Sequence, residues 1–136
     1  MKILIVGDSQ SEGAPGRELE ALLQARGVET MRIGHVGHGA YDWTRMHWPE
    51  YQAALQTFRP DQVVMVFGSN DAPNSNLERA MQAFKASAAT VYYAGPPRYD
   101  RRPDVQAQSA GIRTMAKRVF GSKHLDAWPY TGTSTT

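Results

Sequence analysis

Two short runs, Lys2-Ile3-Leu4-Ile5-Val6 and Gln62-Val63-Val64-Met65-Val66-Phe67, are almost free of polar interruption. Strands that read this way are buried on both faces, and sheets built from them are parallel, with helices on each side. The segments around them fit that plan. Val28–Ile33 reads as a second, weaker strand, Thr90–Ala94 as a fourth and His124–Asp126 as a short fifth. Helical segments alternate with them. Arg17–Arg26 carries Leu19, Leu22 and Leu23 at helical spacing and stops at Gly27. Met46–Phe58 has Trp48 and Pro49 near its start and ends before Arg59-Pro60. Ser75-Asn76-Leu77-Glu78 fits a capping box with Ser75 as N-cap, opening a helix to about Ala86. Asp104–Phe120 is stopped by Gly121. Right-handed crossovers between such strands predict one α/β domain over 1–136. Its expected architecture is a flavodoxin-like three-layer sandwich with a parallel five-stranded sheet in the order 2-1-3-4-5. The polar tail Thr131-Gly132-Thr133-Ser134-Thr135-Thr136 is expected to be loose.

Composition narrows the function classes. The 136 residues suffice for one domain with a real core, and no repeat or low-complexity tract divides them. A net charge of +2 is too small to argue for nucleic acid. Arg98, Arg101 and Arg102 lie in a Pro-rich stretch and read as a solvated loop face. With no cysteine, disulfides and thiolate metal sites are excluded, which leaves the compartment open. No apolar run approaches the roughly 18 residues needed to span a membrane. Met1–Val6 is too short for a signal peptide.

In a doubly wound sheet the ligand site lies beyond the C-terminal ends of the strands. Three unusual segments sit there. Gly7-Asp8-Ser9-Gln10-Ser11-Glu12-Gly13 breaks strand one at the mouth of a helix, where outward backbone N–H groups favour developing negative charge. That is a place to mount a nucleophilic serine, although Asp8 and Ser9 also suit a turn and a helix cap. Ile33-Gly34-His35-Val36-Gly37-His38-Gly39-Ala40 follows strand two. Its glycines allow backbone to approach a ligand, and one N–H could donate to an oxyanion. His35, His38 and His47 have no carboxylate partner in a recognised ligand pattern, so the expectation is no metal. Gly68-Ser69-Asn70-Asp71 follows strand three, where Asn70 could offer its amide to the same pocket as Ser9 or simply form a turn.

Together these segments resemble the SGNH hydrolase superfamily, the GDSL-like esterases and lipases. Gly7-Asp8-Ser9-Gln10-Ser11 looks like the first block of that superfamily, with Gln10 where Leu is frequent. The second-block glycine is best matched by Gly39, with Gly37 as the other candidate, and Gly68-Ser69-Asn70-Asp71 meets Gly-x-Asn-Asp. Arg59-Pro60-Asp61 ahead of strand three and Gly95-Pro96-Pro97 after strand four are similar too. The resemblance implies ester hydrolysis with Ser9 as nucleophile. The oxyanion donors would be the Ser9 and Gly39 backbone N–H groups and the Asn70 side chain. It implies no cofactor, and as substrate a small-molecule or carbohydrate ester, carbohydrate O-acetyl groups among the candidates.

The superfamily's Asp-x-x-His block is not met. Asp126-Ala127-Trp128-Pro129 has Pro129 where the base should stand, and it reads instead as the fifth strand with its following loop. The expectation is that a C-terminal segment carrying the base is missing, with a lost base, or one from an existing histidine or a partner chain, as the alternatives. His38 lacks an orienting acid, and His124 shares a short strand with Asp126 at spacing two, which separates their side chains. Three classes follow: a serine esterase, a catalytically inactive glycan-binding or structural module of the same fold, and a nucleotide or phosphate binder. No phosphate-loop pattern supports the third.

Overall fold

The computed structural model describes residues 1–130, without the Tyr130 side chain, so the polar tail lies outside the described residues. Five parallel strands form one sheet in the order β2-β1-β3-β4-β5, as expected. They are β1 (Lys2–Gly7), β2 (Glu29–Gly34), β3 (Gln62–Val66), β4 (Val91–Ala94) and β5 (His124–Leu125). The helices are α1 (Ser9–Glu12), α2 (Ala14–Ala25), α3 (Ala40–Asp42), α4 (Trp48–Phe58), α5 (Ser75–Ser87) and α6 (Pro103–Phe120). A π-helical turn, Trp43–His47, joins α3 to α4.

Alternate residues of the central strands point to opposite faces. Leu4, Val6, Val63, Met65, Val91 and Tyr93 enter the larger core, where α4, α5 and α6 add Tyr51, Phe58, Leu77, Phe84, Ile112 and Phe120. Ile3, Ile5, Val64 and Val66 form the smaller cluster on the other face, partly covered by Leu19 and Leu23 of α2. This is why β1 and β3 read as unbroken apolar runs: both of their faces are covered.

Local signals placed some boundaries differently. Ser75 is the first residue of α5, and Asn74 is its N-cap, accepting hydrogen bonds from the backbone N–H groups of Asn76 and Leu77. Asn and Ser compete on nearly equal terms for this role, so adjacent capping residues make the start ambiguous by one position. The helix expected from Met46 starts as α4 at Trp48, with Pro49 in its first turn, where a missing N–H costs little. Arg59, in the left-handed region at φ 53°, ends it.

Candidate active site

The strand β1 ends at Gly7, and the chain must turn there within the width of the sheet. A Cβ on Gly7 would collide with the carbonyl of Val66 on β3, so only glycine lets the two strands run this close. Asp8 follows, fully buried, as the N-cap of α1. Its Oδ1 accepts the backbone N–H of Gln10 at 2.9 Å. Its Oδ2 accepts the backbone N–H of Gly68 and the side-chain amide of Asn70, each at 2.9 Å. One carboxylate therefore ties the loop after β1 to the loop after β3. Burial raises the Asp8 pKa, and these three donors pull against that rise.

Ser9 opens α1 on the solvent side of Asp8. As the first residue of a helix, its N–H has no intrahelical acceptor. Ser9 and Asn70 line one pocket of about 310 Å³, together with Gln10, Gly68, Ser69, Tyr99, Arg102 and Val105. The Asn70 amide carries two N–H groups, so the hydrogen bond to Asp8 fixes the side chain and leaves one donor over. Behind the pocket, Ser69 Oγ is hydrogen-bonded to the buried Ser109 of α6.

Gly39 lies outside the residues that line this pocket. Its N–H donates to Asp42 Oδ2 at 3.2 Å. A Cβ there would run into the Asp71 carboxyl, so the fit needs glycine for space, its φ of −75° being open to any residue. Asp71, buried, takes the N–H groups of Ala40 at 2.7 Å and Tyr41 at 3.1 Å, and so caps α3 from the neighbouring loop. Burial pushes the Asp71 carboxyl up to about 6 against those two donors, and the nearby Asp8 and Asp42 charges add to the rise. Gly37, the other second-block candidate, has φ +82° with open space around it.

Neither histidine weighed as a base lines the pocket. His124 Nε2 is 2.7 Å from the Gly95 carbonyl oxygen, so that nitrogen is the donor. Asp126 turns away to Arg113, which holds it through two hydrogen bonds of 3.0 and 2.7 Å. The Arg113 guanidinium lowers the Asp126 pKa well below the usual carboxylate range. His38 Nδ1 lies 2.7 Å from His47 Nε2. The nearby His35 Nε2 is 2.6 Å from Glu50 Oε1. Glu50 is the carboxylate partner that the linear spacing did not disclose. The helix-cap role expected of Asp8 is met, whereas its bridge to Gly68 and Asn70 and the role of Asp71 were missed. Their position beside Ser9 and Asn70 in the two blocks was the available signal.

The fold is shared with solved esterases. The chain superposes on LAE5, an alpha/beta hydrolase enzyme from the metagenome of Lake Arreo, with TM-score 0.73 and 17% identity, covering 94% of this chain and 77% of that one. A catalytic mutant of Axe2, an acetylxylan esterase from Geobacillus stearothermophilus, gives TM-score 0.68 and 17% identity, covering 94% and 76%. A family 3 carbohydrate esterase from Clostridium thermocellum gives 0.65 and 22%, covering 94% and 77%. At these identities the likeness establishes an SGNH hydrolase-like fold. No curated protein matches the chain in sequence. A family model described as "Protein of unknown function (DUF459)" matches residues 2–79, the span that holds β1 to β3 and all three blocks, and the chain belongs to that family.

Proposed function

We propose that the protein is a serine ester hydrolase of SGNH type, with Ser9 as the nucleophile. One observation carries this reading: Ser9 and Asn70, from the loops after β1 and β3, line the same pocket, and the Asp8 carboxylate holds both Asn70 and the Gln10 N–H next to Ser9. Ser9 Oγ would attack the ester carbonyl. The Ser9 N–H and the free N–H of Asn70 would receive the developing oxyanion, each such donor contributing roughly 3–4 kcal/mol when preorganised. The Gly39 N–H joins them only if it leaves Asp42. The lining is mostly polar, with Gln10, Ser69, Tyr99 and Arg102 around Ser9. That suits a small acyl group on a hydroxylated alcohol, such as a carbohydrate O-acetyl ester. Two similar folds, named as an acetylxylan esterase and a carbohydrate esterase, support the same class.

A serine hydroxyl needs a base to become an effective nucleophile. Among the described residues no histidine lines the pocket. The reading therefore calls for an imidazole from outside those residues or from a partner chain. The same observation favours a second reading, a catalytically inactive glycan-binding module.

Hydrolysis of acetylated xylo-oligosaccharides, with and without free imidazole in the buffer, separates the two. The esterase reading expects acetate release that imidazole raises in the wild type and not in Ser9→Ala. Saturable binding of the sugar, with no acetate release above that of Ser9→Ala, establishes the binding module instead. A wild-type rate in Ser9→Ala removes Ser9 from the chemistry.

A further inference from the structure

Three histidines that lie apart in sequence meet beside the Gly39 loop. His35 and His38 come from the turn after β2, and His47 closes the π-helical turn before α4. Each offers one ring nitrogen, and these atoms lie within 4.8 Å of one another. The His35 and His47 rings are parallel to within 3°, with centroids 3.6 Å apart. His38 stacks beside them, 5.0 Å from His47. Trp43, fully buried, meets both His35 and His47 edge-on and forms a rigid floor. Glu50 holds the His35 ring from outside.

We propose that His35, His38 and His47 form a binding site for one divalent transition-metal ion of the zinc type. Imidazole nitrogen suits zinc, copper, nickel and cobalt, whereas magnesium and calcium prefer oxygen. Three histidines and an open fourth position are a familiar zinc environment, with Zn–N distances of about 2.0–2.1 Å. Ring nitrogens bound to one tetrahedral ion stand about 3.3 Å apart by that geometry. Closing the cluster to that spacing requires the stacked His35 and His47 rings to turn out of parallel, because a bound ion lies in the plane of each ligand ring. Two of the rings already touch: His38 Nδ1 and His47 Nε2 share one hydrogen at 2.7 Å. An ion taking both nitrogens breaks that hydrogen bond, and the donor ring stays neutral by carrying its hydrogen on its other nitrogen. Glu50 on His35 matches the carboxylate that orients a ligand histidine. The bound ion would pin the turn carrying Gly39 to the start of α4.

The test uses the whole chain, stripped with a chelator and titrated at neutral pH with Co²⁺ followed by absorption and with Zn²⁺ followed by calorimetry. The expected result is about one Co²⁺ per chain with the intense visible bands of a four-coordinate ion, displaced by Zn²⁺. His38→Gln and His47→Gln should each weaken binding by more than about tenfold, while His124→Gln binds as the wild type does. Circular dichroism of the stripped variants checks folding. If His47→Gln does not fold, His38→Gln, a change on a turn, decides alone. The proposal is overturned if Co²⁺ shows only six-coordinate, weak binding, or if the folded His38→Gln protein binds as the wild type does.

Discussion

Asp8 accepts three hydrogen bonds on two oxygens while fully buried, and two of the donors come from the loop after β3. Removing one donor from a buried acceptor costs about 1–3 kcal/mol. Asn70→Ala should therefore do two things. It should lower stability by about 1–2 kcal/mol, read by denaturant unfolding, and, on the proposed esterase reading, lower kcat by about 10²–10³ through loss of an oxyanion donor. On the same reading Ser9→Ala should abolish turnover, and it should leave the unfolding midpoint unchanged, because Ser9 is only half-buried. Asp71 gives a pH signature. Its folded-state pKa of about 6 lies above its ordinary value near 4, so the folded form holds the proton more tightly. Stability from this group is greatest below about pH 4 and declines as pH rises to about 6, by about 2–3 kcal/mol in all. Asp71→Asn should flatten that slope in unfolding curves taken across the interval; an unchanged slope would assign it to other groups. At this scale the sequence was only half legible. Ser9 and Asn70 stand out because Gly-Asp-Ser and Gly-x-Asn-Asp mark strand ends. The carboxylates beside them do not, because their partners lie some 30 to 60 residues away and no local pattern encodes them.

The elements are held at their ends by side chains from elsewhere. The three-residue helix α3 has no stability of its own. It persists because Asp71 accepts its first N–H groups and Gly39 leaves room for that carboxyl. Gly39→Ala should push the carboxyl out and destabilise the fold by about 1–3 kcal/mol, seen as a lower thermal midpoint. Arg32 of β2 plays a similar part for α1 and α2. It donates to the Ser11 carbonyl and to the Glu12 and Glu20 carboxylates. Near the other edge of the sheet, Arg113 of α6 grips Asp126 just past β5. The low Asp126 pKa means that this pair contributes above about pH 4 and is lost as acid protonates the carboxylate. Being partly exposed, the pair should cost only about 1 kcal/mol in Asp126→Asn. Element type was legible for the strands and the longer helices, because buried parallel strands and amphipathic helices differ in period. The π-helical turn and α3 were not, since the three-glycine stretch before them carries no helical signal.

Across the whole molecule the two sheet faces are unequal. One carries a core of linked aromatic rings, Trp43, Tyr51, Phe67, Phe84, Tyr93 and Phe120, and the other a four-residue cluster under α2. Beside that cluster an apolar trough of about 270 Å³ runs between Pro15 and Leu19 on one side and Pro97 and Leu125 on the other. Strand order was legible because right-handed crossovers leave few alternatives. The trough was not, because the sequence shows that a strand face is apolar but not what lies over it. One feature of the topology also sets a timetable. The first strand made is an interior one, and β1 needs β2 on one side and β3 on the other. A chain growing from its N-terminus cannot pair the second edge of β1 until residues 62–66 exist, and Asp8 cannot meet Gly68 or Asn70 before then. During synthesis the Ser9 turn therefore waits for half the polypeptide, held until then only by its local bonds to Asp8. A nascent chain halted before β3 should hold that turn unfolded and open to proteolysis, and one released past Asp71 should protect it.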